Sequence, residues 1–344
     1  MPTELFIYNN PFVLQSGKSL PSLRLAYTKL GNMNADKTNI IWIFHALTAD
    51  SNPQEWWSGL VGIGKLFTPE KYCIICVNMP GSCYGSSNAL DINEGIGKPF
   101  YHSFPWFTIK DMVSAYKLLQ AHLGITKIWL GLGGSMGGQQ LLQWASEAPN
   151  LFSYIIPLCT NAVHSSWGKA FNAAQRICIE NDVTWNTEQP IAGLNGMKAA
   201  RSIALLSYRH YNTYEATQIG VTKATEYLPK DEQVFMAETY QKYQGEKLAK
   251  RFNAFSYYAL TKGMDSHNIA TKEKLAEEIL QTITAKTLVI GITTDILFPV
   301  SEQAFIANSI NHAKLIVIDS LYGHDGFLLE FDAIETAIIT FLNN

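Results

Sequence analysis

Ser135 is placed for nucleophilic chemistry. It lies in Gly133-Gly134-Ser135-Met136-Gly137, a G-x-S-x-G run between the strand-like stretch 127–132 and the helical pattern 136–146. A serine at a strand-to-helix turn of this kind sits in a strained backbone conformation, so its neighbours must be nearly free of side chains. The turn presents Oγ at the end of a sheet. The helix that follows contributes backbone N–H groups and a positive dipole end, which favour a developing oxyanion. The bland alternative is a glycine-rich turn that packs closely or cradles phosphate, but the Gly-Lys-Ser/Thr of a phosphate-binding loop is missing.

Such a nucleophile needs a carboxylate and then a histidine, in that chain order. Stretch 286–292 (KTLVIGI) is followed by Thr293-Thr294-Asp295, and stretch 314–319 (KLIVID) by Ser320-Leu321-Tyr322-Gly323-His324-Asp325. His324 is the expected base. Asp295 is the expected acid, holding the imidazole tautomer and stabilising the imidazolium. Asp319 and Asp325 compete for that role. Asp319 ends its strand too early, and Asp325 adjoins His324, so its carboxylate would struggle to reach the ring edge facing away from Ser135. A second oxyanion donor is expected from the loop after the third strand, His45-Ala46-Leu47-Thr48. Leu47 N–H is the candidate there, with Met136 N–H as the other donor. The side chain of His45 itself reads as structural.

No metal site is expected. His102, His122, His164, His210, His267 and His312 are scattered, without ligand spacing. Cys73 and Cys76 form a C-x-x-C inside the strand-like run 72–78, where positions three apart face opposite sides.

The elements that must position these residues are legible. Stretches 23–30, 39–45, 72–78, 127–132 and 152–159 read as strands, several as near-continuous apolar runs buried on both faces. Stretch 109–123 has helical spacing and ends at Gly124. From about 161 to 284 the pattern is helical, aromatic-rich and free of buried strands. Strand texture then returns at 286–292 and 314–319, and a last helix spans 331–343. The reading is an α/β core of 1–160 and 285–344, with a largely parallel sheet, interrupted by a helical cap over 161–284.

The 344 residues are 47% hydrophobic and 16% charged, with a net charge of -3. A disordered chain would be poorer in apolar residues, and a phosphate-contacting nucleic-acid binder would carry a basic excess. No apolar run approaches the roughly 18–20 residues needed to span a bilayer. Met1-Pro2-Thr3-Glu4-Leu5 lacks the basic start of a secretory signal, and five cysteines are too few for a disulfide framework. A soluble cytoplasmic protein without membrane or nucleic-acid partners is expected.

Several motifs occur together: His45-Ala-Leu-Thr, Gly81-Ser-Cys-Tyr-Gly-Ser, Gly133-Gly-Ser-Met-Gly-Gly-Gln, Phe171-Asn-Ala-Ala-Gln-Arg176, Ala200-Arg201, Thr294-Asp-Ile-Leu-Phe-Pro and Tyr322-Gly-His-Asp. In this order, over almost the whole chain, they resemble the homoserine O-acetyltransferase family, acyltransferases of methionine biosynthesis with the α/β-hydrolase fold. The resemblance implies a mostly parallel sheet flanked by helices under a helical lid. It implies a ping-pong reaction in which Ser135, activated by His324, takes an acetyl group from acetyl-CoA and passes it to L-homoserine. It implies that Arg201 and Asp325 bind the amino acid, with Arg209 and Arg176 as nearby alternatives to the first. Acetyl-CoA is then a co-substrate, no other cofactor is needed, and a homodimer is expected. A succinyl donor, a serine acceptor, a plain esterase and a non-catalytic binding protein are the competing readings. The complete Ser135, Asp295 and His324 set argues against the last.

Overall fold

Ile40–Phe44 (IIWIF) and Cys73–Val77 (CIICV) are buried at every position, which is why each reads as an unbroken apolar run. They form the centre of an eight-stranded sheet. Its strands are β1 (Glu4–Tyr8), β2 (Leu23–Leu30), β3 (Ile40–Phe44), β4 (Cys73–Val77), β5 (Ile128–Gly134), β6 (Phe152–Leu158), β7 (Lys286–Ile292) and β8 (Lys314–Ile318). The spatial order is β1-β2-β4-β3-β5-β6-β7-β8. From β4 to β8 every pairing is parallel. The first two strands instead join antiparallel, β1 on β2 and β2 on β4. The computed structural model describes residues 3–343, so Met1 and Pro2 of the N-terminal reading lie outside them.

Side chains alternate between two apolar layers along each central strand. Ile40, Trp42 and Phe44 enter one layer, Ile41 and Ile43 the other. Cys73 and Cys76 divide in the same way, one in each layer, and both are free thiols. Helices cover both faces. α1 (Ile109–His122) starts at a capping box, in which Thr108 Oγ1 accepts from Asp111 N and Asp111 Oδ2 accepts from Thr108 N. α2 (Met136–Glu147) lies beside it. Trp144 of α2 meets Trp42 edge-on, with ring centroids 5.0 Å apart. Such pairs add about 0.5–1.5 kcal/mol beyond their burial. The helix that begins at Ser135 is thereby anchored to the sheet.

Between β6 and β7 the chain is helical. It carries α3 (Ser166–Glu180), α4 (Leu194–Tyr208), α5 (Tyr211–Thr217), α6 (Met236–Ala249) and α7 (Ala254–Asp265). α8 (Val300–Ser309) and α9 (Phe331–Leu342) follow β7 and β8. Phe341, Ile338 and Ile334 of α9 seal the layer opposite α2. No helix of the described residues is long and apolar enough to cross a membrane.

Candidate active site

The turn after β5 sets the nucleophile. Ser135 has φ 58° and ψ -126°, a conformation that costs a side-chain-bearing residue roughly 1–3 kcal/mol. Its surroundings over-determine it. Ser135 N donates to Leu158 O at 3.0 Å, and Thr160 Oγ1 donates to Ser135 O at 2.8 Å. Gly137 is required two residues on, since a Cβ there would stand 2.1 Å from Phe44 O. That close approach presses the first turn of α2 against the end of β3.

Three remote side chains converge at this turn. His324 Nε2 lies 2.9 Å from Ser135 Oγ, and His324 Nδ1 lies 2.7 Å from Asp295 Oδ2. The other oxygen of Asp295 accepts from Leu297 N at 2.9 Å and Phe298 N at 2.8 Å. The carboxylate is therefore fixed by its own loop and presents one oxygen to the ring. Since that oxygen accepts, Nδ1 carries the proton and Nε2 is free to take one from Ser135. All three residues are buried, at 6%, 3% and 3% exposure for Ser135, Asp295 and His324. The rings of Phe298 and Phe327 flank the imidazole, with centroids 5.1 and 5.2 Å away. The competing carboxylates are engaged elsewhere. Asp319 Oδ1 accepts from Thr293 Oγ1, and Asp325 faces Arg209.

A cavity of about 70 Å³ opens over the serine. Leu47, Arg201, Tyr208 and Asp325 line it together with Ser135 and His324. Arg201 stacks over the Tyr208 ring at 5.2 Å. Met136 opens α2, so its N–H has no acceptor within the helix. Of the other arginines weighed, Arg176 is held by Asp265 at 2.6 Å, and Arg209 Nε stands 3.2 Å from Asp325 Oδ2. Tyr208 was not singled out by any motif. The sequence shows it only as one of many aromatic residues in the helical stretch.

The loop bearing the base is pinned to that stretch. Gly323 has φ 64°, and a Cβ there would fall 2.9–3.0 Å from Tyr208 O, Arg209 C and His210 N. A second polar cluster lies behind the nucleophile. Gln139 Nε2 donates to Asn161 Oδ1 at 3.0 Å and approaches His164 Nδ1 at 3.2 Å, and His267 Nε2 meets Asn161 O at 2.9 Å. Burial pushes His164 down to about 4 and His267 to about 3, and it pushes Glu302, in the first turn of α8, up to about 7. Burial also lowers His45 to about 4. Among the described residues no group of three or more His, Cys, Asp or Glu is arranged to hold a metal ion.

The arrangement can run acyl transfer: a hydroxyl, a base with a fixed tautomer, and backbone N–H groups beside a small cavity. Comparison with known proteins agrees. A family model described as the alpha/beta hydrolase fold matches residues 39–331. A homoserine O-acetyltransferase of Cyclobacterium marinum is 43% identical over 341 residues, spanning 99% of this chain and 95% of the relative. Among solved structures, a homoserine O-acetyltransferase from Bacillus anthracis has a TM-score of 0.88 at 22% identity, over 100% of this chain and 98% of that one. An acetylester hydrolase from Corynebacterium glutamicum reaches 0.86 at 21%, over 100% and 96%. At such identities the two structures speak for the fold alone.

Proposed function

The chain belongs to the homoserine O-acetyltransferases of the alpha/beta hydrolase fold, and from that premise we propose that it acetylates L-homoserine through an acyl-enzyme on Ser135. His324 removes the Ser135 proton as Oγ attacks the thioester carbon of acetyl-CoA. The oxyanion is held by the N–H groups of Leu47 and Met136. The tetrahedral intermediate collapses, CoA leaves with the proton from His324, and Ser135 is left acetylated. The homoserine side-chain hydroxyl then gives its proton to the same His324 and takes the acetyl group. Asp295 steadies the imidazolium in both halves.

Arg201 grips the substrate carboxylate, and Asp325 pairs with its ammonium. The observation that carries the reading is the shared cavity. Arg201 and Asp325 face the same space of about 70 Å³ as Ser135 and His324. In the same reading 161–284 forms a cap over the 1–160 and 285–344 core. The enzyme works in the cytoplasm as a homodimer on small-molecule substrates and needs no cofactor besides acetyl-CoA.

A plain esterase would use the same triad, and an acetylester hydrolase has the same fold. The paired charges at the cavity favour an amino-acid acceptor over water. The deciding experiment follows CoA release from acetyl-CoA with and without L-homoserine. We expect a burst of one equivalent without the acceptor and steady turnover with it. Steady release at the same rate in both would make the protein a hydrolase. A matrix of acetyl- and succinyl-CoA against homoserine and serine fixes the substrate pair.

A further inference from the structure

The structure assigns His45 as a positioning residue of the oxyanion site: its imidazole clamps the Ala46 carbonyl and so orients the Leu47 N–H. The assignment rests on the reading above, in which Leu47 N–H receives the developing negative charge. It goes beyond the sequence, which gives this side chain only a structural role.

The tautomer follows from geometry. Met79 N lies 3.0 Å from His45 Nε2, and a backbone N–H can only donate. Nε2 is therefore the bare nitrogen, and Nδ1 carries the proton. Nδ1 lies 2.9 Å from Ala46 O and donates to it. Ala49 N donates to the same oxygen at 3.0 Å, so Ala46 O receives two hydrogen bonds, as many as its two lone pairs accept.

The carbonyl of Ala46 and the N–H of Leu47 belong to one planar trans peptide and point in opposite directions. Fixing the oxygen fixes the N–H. Leu47 N has no protein acceptor among the described residues, and Leu47 lines the cavity with Ser135. The clamp is close to the nucleophile on its other side too. A Cβ at Gly137 would stand 3.1 Å from His45 O. His45 is wholly buried, and burial keeps it neutral, which preserves the bare Nε2 for Met79.

The test uses two isologous variants of the full-length protein. In His45→Asn the amide nitrogen can occupy the place of Nδ1 and keep the bond to Ala46 O. In His45→Gln the side chain can satisfy Met79 but not Ala46. The readout is the rate of Ser135 acetylation, taken from the CoA burst, beside the KM for homoserine and the Tm. We expect His45→Gln to acetylate about 100–1000-fold more slowly with little change in homoserine KM. His45→Asn should stay within about tenfold of the parent rate, because it keeps the donor that matters.

A folded His45→Gln at the parent rate overturns the assignment, as does a folded His45→Asn no faster than His45→Gln. Should neither variant fold, ¹⁵N NMR of the histidines in the unmodified protein decides. A proton on Nδ1 of His45 at neutral pH upholds the clamp, and one on Nε2 refutes it. Ser135→Ala separates the two levels. If it is inactive while His45→Gln is normal, only the clamp fails. If Ser135→Ala is fully active, the acyl-enzyme reading fails with it.

Discussion

Arg209 and Asp325 meet where the helical stretch touches the loop of the base, with Nε of the arginine 3.2 Å from Oδ2 of the aspartate. The contact is one of charge and not a well-directed hydrogen bond, because Arg209 Nε has no partner on its N–H line. Asp325 thus keeps acceptor capacity for a second cation. Asp325→Asn should raise the homoserine KM about 10–100-fold, the worth of one charged hydrogen bond. The acetylation burst should change little. Arg201→Ala should do the same through the carboxylate. A lost burst in either variant would move that residue to the acetyl-CoA half of the reaction.

Asp295→Asn keeps an oxygen for Leu297 N and Phe298 N but turns an amide donor toward His324 Nδ1. The ring must then protonate Nε2, which can no longer accept from Ser135. We expect kcat to fall about 10⁴-fold with the fold intact. Steady-state assays of the single and double variants check this. Combining Asp295→Asn with Ser135→Ala should be scarcely worse than Ser135→Ala alone.

The backbone of Ser135 predicts a trade of stability against activity. Ser135→Gly and Ser135→Ala both remove the nucleophile, but only glycine relieves the strain at φ 58°. After the added freedom of the unfolded chain, glycine should be more stable than alanine by about 1 kcal/mol. Urea unfolding of the two inactive proteins measures it. A higher midpoint for alanine would mean that the turn is not strained.

Three buried histidines set the acid limit of stability. His45, His164 and His267 hold folded values of about 4, 4 and 3 against an ordinary 6.5. Below pH 6.5 the unfolded chain binds protons that the native state refuses. Stability is therefore full above 6.5 and falls as the pH drops toward 4. The Tm should decline steadily across that window, and His267→Asn should flatten the slope. A slope unchanged by that substitution would show that His267 is already charged when folded.

Glu302 acts in the opposite sense. Its folded value of about 7 exceeds the ordinary 4.5, so between those values the native state holds a proton that the unfolded state lacks. Stability then falls as pH rises through the window. Glu302→Gln should raise the Tm more at pH 8 than at pH 4.5. An equal shift at both would assign the gain to packing alone.

Much of this arrangement is legible in the residues. The glycines around Ser135 permit only a tight turn, and the parity of Cys73 and Cys76 puts them on opposite faces, as their two layers show. Asp295 and His324 follow late strands in the chain order the chemistry requires, and the structure brings both to Ser135. Other features depend on contacts that local pattern does not encode. The antiparallel placement of β1 and β2 is set by long-range pairing. Tyr208 and Arg209 reach the cavity and the base loop only because α4 ends above them, which is a matter of helix packing. The tautomer of the His45 imidazole depends on Met79, 34 residues away.

Gly323 sits against the backbone of Tyr208–His210 with no room for a side chain. Any larger residue at 323 would wedge the segment that carries His324 away from the end of α4, and the neighbouring imidazole would lose its alignment with Ser135 and Asp295. A substitution that touches none of the three reacting groups would then cost activity through the loop alone.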